Sequence, residues 1–131
     1  MNPKKRDRFD AILEQVLTEL PAAVHELLDK VPLHVEDRPS AKIARQLGAD
    51  APDDLCGLYS GVPLTERSAD MTHPVPDVVT IYREGILALV EDEHGRITTK
   101  ALREEIRTTI LHELAHYHGI EEDELWELGY G

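Results

Sequence analysis

Two histidines and a glutamate near the end of the sequence have the spacing of a hydrolytic metal site. Residues 112–116 read His-Glu-x-x-His, with His112, Glu113 and His116 as the chemically active members. Residues four apart lie on one face of a helix, so His112 and His116 can both direct a ring nitrogen at one ion. Zinc accepts imidazole nitrogen at about 2.0–2.1 Å, and the pair would supply two of its ligands.

Glu113 follows the first histidine directly. It is about a hundred degrees around the helix from His112, because an α-helix has 3.6 residues per turn. This angle predicts that Glu113 is too far round to bind the ion but close enough to reach a water beside it. The spacing therefore predicts two histidine ligands and one general base, which is how hydrolytic zinc sites divide these roles.

A third zinc ligand has to come from elsewhere in the chain, since catalytic zinc usually has three protein ligands and one open position. Gly119 follows the motif and can adopt the left-handed conformation that ends a helix and turns the chain back. In the long form of the motif the last ligand falls ten residues after the first, which here is Glu122, with Asp123 as the alternative. Carboxylates are equally typical of the first turn of another helix, so both interpretations of this acidic run stay open.

The helix that would carry the motif is predicted to run to His118 from a cap at Thr98 or Thr99. Neither proline nor glycine interrupts this range. Apolar side chains recur every fourth residue ahead of the motif, at Leu102, Ile106 and Ile110. This pattern indicates a half-buried helix with one face in the core.

The elements that would hold this helix are predicted from hydrophobic periodicity. Apolar spacing predicts helices at 7–20, 21–29 and 84–91, a helical turn at 41–47 and a short last helix around Trp126. Alternation and β-branched residues predict strands at 31–35, 55–59 and 78–82. The last of these strands is the richest in β-branched residues and is expected to be central or to line the cleft.

The composition indicates one soluble domain over residues 1–131. Apolar residues make up 41% and charged residues 31% of the sequence, which is typical of a globular protein. The net charge of −12 disfavours nucleic acids and anionic membranes as partners. The one cysteine, Cys56, excludes an intrachain disulfide and lies in an apolar run that predicts a buried thiol. Without an apolar signal segment or a membrane-spanning run, we expect a cytoplasmic protein.

The motif and its flanking segments resemble the small bacterial zincin-like metallopeptidase family, whose members carry His-Glu-x-x-His-x-x-Gly-x-x-Asp near the C-terminus. The likeness extends to residues 55–64, 76–83 and 125–130 and covers most of the chain. It implies a compact, minimal α+β domain with N-terminal helices, a small mixed sheet of about three strands and a C-terminal active-site helix. It also implies zinc at His112 and His116, with Glu113 as the catalytic acid and base. The chain departs from the family at Glu122, where aspartate is usual.

The resemblance also implies a substrate-binding strand beside the active-site helix, and residues 78–82 are the candidate. The leading hypothesis is a zinc-dependent metallopeptidase acting on a peptide or protein substrate.

Further residues are candidates for roles at this site. Tyr59, Tyr82 and Tyr117 are candidates for stabilising an oxyanion. His73 is an alternative zinc ligand from upstream of the motif.

Two alternative functions stay open. A metal-dependent ribonuclease is disfavoured by the net charge and by Glu113. The small bacterial ribosomal-RNA-processing endonucleases, whose chains are of similar length, carry a His-Gly-x-x-His type motif that lacks this glutamate. A non-catalytic zinc-binding or regulatory protein is favoured by the small size of the chain and by the absence of methionine after the motif.

Overall fold

The computed structural model describes residues 1–47, 55–62 and 76–119, and over these ranges it confirms the predicted α+β fold with a small mixed sheet. The elements in chain order are α1 (Pro3–Glu19), α2 (Ala22–Lys30), β1 (Leu33–Glu36), α3 (Ala41–Leu47), β2 (Gly57–Ser60), β3 (Val78–Tyr82), α4 (Arg83–Val90) and α5 (Thr99–His118). The predicted helix around Trp126 and the candidate ligand His73 lie outside the described residues.

Helix α1 begins earlier than its apolar stripe predicted. The side chain of Asn2 accepts a hydrogen bond from the backbone N–H of Lys4 at 2.8 Å, and Pro3 occupies the first helical position. Proline is favoured there because its missing N–H would be unpaired in any case. The charged first turn is therefore held by its cap, while the later turns bury Phe9, Ile12, Leu13 and Val16.

The sheet has the strand order β1–β3–β2 in the described part of the chain. Strand β1 pairs parallel with β3, with Leu33 opposite Val79, and β2 pairs antiparallel with β3, with Gly57 opposite Ile81. The prediction that β3 is central is confirmed. The prediction that β3 binds substrate by strand addition is wrong, because both of its backbone edges are already paired. Within the described ranges β2 lies at one edge of the sheet, and it packs on α5.

Helix α5 contacts α1, α4, β2 and β3 and so organises the core. Its fully buried stripe consists of Leu102, Ile106, Ile110 and Leu114. The predicted start is confirmed, since the Thr98 side chain accepts a hydrogen bond from the N–H of Ala101 at 3.1 Å. The predicted end is confirmed by Gly119, whose φ of 71° is left-handed. No helix within the described ranges is long and apolar enough to cross a membrane.

An ion-pair network joins α1 to the ends of β1 and β3. Arg83 donates two hydrogen bonds to Asp10, at 2.9 and 3.1 Å, and one to Asp37 at 3.0 Å. Arg6 donates to the other oxygen of Asp37 at 2.6 Å. The hydrogen bond from Arg6, together with that from Arg83, holds the pKa of Asp37 below its usual value, although partial burial opposes this shift. The network thereby fixes the first turn of α4 against α1.

Candidate metal centre and active site

His112 and His116 lie together on the face of α5 that points away from the core. Their ring centroids are 4.5 Å apart, with 63° between the ring planes. Their side chains are 53% and 52% exposed, whereas Leu111 and Ala115, the residues just before them, are buried. The helix is therefore held by its apolar face, and the two histidines are left accessible to an ion.

Glu113 is buried, with 4% of its surface exposed, although it lies between two exposed histidines in space. Its Oε1 is 3.5 Å from Nδ1 of His116 and 3.9 Å from Nε2 of His112. The helical angle predicted a carboxylate near the site but too far round to bind the ion. The observed distances place this oxygen within reach of both histidines, so its role as general base stays a prediction.

The donor set suits a zinc ion. One ligand atom from each of His112, Glu113 and His116 can be chosen so that all three lie within 4.8 Å of one another. Nitrogens bound to one tetrahedral zinc at about 2.0–2.1 Å are about 3.3 Å apart, so small side-chain rotations suffice. Imidazole nitrogen and carboxylate oxygen are both ordinary zinc ligands. The predicted third ligands, Glu122 and Asp123, lie outside the described residues.

The backbone of β2 approaches α5 closely at Gly57. A Cβ atom added there would lie 2.7 Å from Cγ2 of Thr109, 3.1 Å from Cγ of Glu113 and 3.2 Å from the carbonyl oxygen of Thr80. Contacts below 3.0 Å force a neighbouring atom to move, so only glycine leaves this arrangement undisturbed. The close approach places the β2 backbone against the stem of Glu113 and so contributes to the burial of this residue.

A groove of about 570 Å³ runs between the β2 edge and α5. One wall is formed by residues 55–58, and the other by six side chains of α5: Glu105, Thr108, Thr109, His112, Glu113 and His116. Each of the six lies three or four residues from another member of the set, so together they form one stripe of the helix. The candidate metal site is therefore one part of a longer cleft.

The three tyrosines that were candidates for an oxyanion role do not line this groove. The Tyr59 hydroxyl donates to Asp77 at 2.6 Å, and its ring packs edge-on against Tyr117 at 6.0 Å. Tyr82 is 2% exposed, and burial raises its pKa, with the negative charges of Glu36 and Glu113 adding to the effect. The geometry therefore gives no support to a catalytic tyrosine among them.

Sequence reasoning missed part of the cleft. Glu105 belongs to the α5 wall of the groove. It precedes His112 by seven residues on one helix face, and this spacing could have identified it from the sequence. Gly57 has no comparable local signal, because its importance depends on contact with α5. Cys56, predicted as a buried thiol, is half-buried and lines the groove.

Comparison with known protein families agrees with this geometry. A family model described as zincin-like metallopeptidase matches residues 28–131, which is most of the chain and includes the whole groove. No curated protein matches the sequence.

Proposed function

Because this chain belongs to the zincin-like metallopeptidase family, we propose that it is a zinc-dependent peptidase that hydrolyses peptide bonds in the groove between β2 and α5. The observation that carries the proposal is the grouping of His112, Glu113 and His116, two accessible imidazoles beside one buried carboxylate. This grouping lines a groove of about 570 Å³ beside β2.

His112 and His116 would hold the zinc, together with a third ligand for which Glu122 and Asp123 are the candidates. When bound, zinc supplies Lewis acidity, which polarises a peptide carbonyl and makes water nucleophilic near neutral pH. Glu113 accepts the proton of the attacking water at its carboxylate and then donates it to the amine nitrogen of the leaving product. Burial of Glu113 keeps bulk water away from this proton transfer.

An extended substrate would be bound by the backbone of β2. Among the described residues this strand pairs with β3 alone, and its residues Gly57 and Leu58 line the groove. Main-chain hydrogen bonds to such an edge hold a peptide extended, whatever its sequence. Leu55 and Leu58 supply apolar surface beside this edge. The peptide carbonyl would then pass the two histidines and Glu113 on the opposite wall.

The proposal is tested by incubating a proteome-derived peptide library with the zinc-loaded protein and identifying new termini by mass spectrometry. Cleavage should require zinc, disappear with a chelator and return when zinc is restored. The Glu113→Gln variant, loaded with the same amount of zinc, serves as the control against a contaminating protease. A zinc-loaded wild-type protein that cuts no peptide would contradict the peptidase proposal and favour a non-catalytic zinc-binding role.

A further inference from the structure

Glu105 is the one charged residue in the described groove lining outside the His112, Glu113 and His116 group. It is half-buried, and one of its carboxylate oxygens accepts a hydrogen bond from the Thr109 hydroxyl at 3.2 Å. Among the described residues, no lysine, arginine or histidine forms an ion pair with it. The groove thus contains a positioned negative charge whose cationic partner is missing from the described structure.

The location of Glu105 relative to the candidate metal centre sets where on a substrate its charge would act. Glu105 precedes His112 by two turns of one helix face, which is about 10 Å at 1.5 Å per residue. An extended peptide advances about 3.3 Å per residue. A side chain facing Glu105 would therefore belong to a residue about three positions from the peptide bond at the metal centre.

We propose that Glu105 selects substrates with a lysine or arginine side chain about three residues from the bond that is cut. The inference rests on the proposed peptidase function and adds a substrate class to it. A half-buried carboxylate that shares the groove with Leu55 and Leu58 of the other wall favours a cationic side chain, which can pair its charge with Glu105 and lay its methylene stem along these leucines. The net charge of −12 acts in the same direction, because it attracts cationic peptides.

The direction of β2 indicates the side of the cut on which the basic residue lies. Gly57 lies against Thr109 and Glu113, while Tyr59 lies against Tyr117, so β2 and α5 run the same way. A peptide that pairs antiparallel with β2 would run the opposite way and place its C-terminal part beside Glu105. Antiparallel pairing is slightly more stable per residue than parallel pairing. We therefore expect the basic residue on the C-terminal side of the cleaved bond.

A purely structural role for Glu105 would consist of its hydrogen bond with Thr109, one helical turn away. The Glu105→Gln variant separates the two roles, because the amide oxygen can still accept this bond while the negative charge is lost. Glu104→Gln is the matched control, since it removes the same charge from the adjacent, exposed residue outside the groove.

The probes are fluorescent nine-residue peptides of alanine, glycine and serine, in which each position in turn is lysine, norleucine or glutamate. Their binding to the zinc-loaded Glu113→Gln protein is measured by fluorescence anisotropy, so that hydrolysis does not disturb the equilibrium. At one position, lysine should bind about tenfold more tightly than norleucine, as expected for a half-buried ion pair, and glutamate more weakly. Adding Glu105→Gln should abolish this preference, and adding Glu104→Gln should preserve it.

Equal binding of the three peptide sets, undetectable binding, or a lysine preference that survives Glu105→Gln would overturn the inference. Cleavage by the wild-type protein is measured separately. The cleaved peptides should carry a basic residue about three positions from the bond that is cut. Selective binding without cleavage would contradict the peptidase proposal while leaving the role of Glu105 in peptide recognition intact.

Discussion

Gly57 of β2 and Thr109 of α5 are in such close contact that a Cβ atom at Gly57 would lie 2.7 Å from the Thr109 methyl carbon. This contact sets the distance between the sheet edge and the helix that carries the candidate metal centre. It also brings the β2 backbone over the stem of Glu113, one turn further along α5. The spacing of β2 and α5, and the packing against the stem of Glu113, therefore depend on a residue without a side chain.

The Gly57→Ala substitution should push β2 away from α5. We expect a loss of about 1–3 kcal/mol in the free energy of unfolding, as is typical of overpacked sites, and a lower peptidase activity. Urea denaturation measures the first effect. Adding Thr109→Ser removes the methyl group nearest the new Cβ, so the double variant should recover part of the stability. Strictly additive losses would show that this contact does not set the spacing.

Zinc should bind through His112 and His116. Replacing either by alanine removes a direct ligand, so zinc affinity should fall by more than the roughly 10–100-fold typical of residues that only support a ligand. Elemental analysis after dialysis measures the zinc retained per chain. His94→Ala is a suitable control, because this histidine is exposed in the turn before α5. Full zinc retention by His112→Ala would contradict the assignment.

The Glu113→Gln substitution should keep zinc and lose hydrolysis. The amide has the shape of the carboxylate but cannot accept the proton of water, and general-base catalysis contributes about 10²–10⁴-fold to rate. Zinc content and single-turnover cleavage should be measured on one preparation. If zinc is lost as well, Glu113 is a ligand, which its 3.5 Å distance from the His116 ring also permits. Unchanged activity would exclude it as the base.

The third ligand should be Glu122 rather than Asp123. Glu122 matches the position of the final ligand in the long motif, but its side chain is one methylene longer than the aspartate usual in the family. We expect Glu122→Ala to weaken zinc binding more than Asp123→Ala does, as measured by competition with a chromogenic chelator. If Asp123→Ala weakens zinc binding more than Glu122→Ala does, the third ligand is Asp123. If neither substitution weakens zinc binding, the third ligand is water, an upstream residue such as His73, or a residue of a second chain.

Protonation of Asp37 at acid pH should lower the free energy of unfolding. Its hydrogen bonds from Arg6 and Arg83 hold its pKa below the usual 3.8. A carboxyl with a lowered folded pKa stabilises the protein above its unfolded pKa, and this stabilisation is lost as pH falls through the folded value. Urea denaturation should show Asp37→Asn less stable than wild type by a constant amount above about pH 5, with the difference shrinking below about pH 4. The exposed Asp29→Asn variant is the control, and a pH-independent difference would contradict the charge-based role.

The sequence by itself determined the features that depend on local geometry. Helix α5, its Thr98 cap and its left-handed Gly119 all follow from propensity and short-range hydrogen bonds. Residues four apart lie on the same face of an α-helix, so the spacing of His112 and His116 was enough to predict that their rings lie side by side. The central position of β3 could also be predicted from the sequence, because a run of β-branched residues is typical of a buried strand.

Only the tertiary structure decided which strand forms the wall of the groove. The local sequence shows which side chains of a strand are apolar. It does not show which strands form hydrogen bonds with its two backbone edges, because those partners are distant in sequence. The pairing of β3 on both sides therefore assigns the groove edge to β2, against the sequence-based expectation. The burial of Glu113 under Gly57 and the inclusion of Glu105 in the groove depend on the same packing of β2 against α5, which neither segment specifies alone.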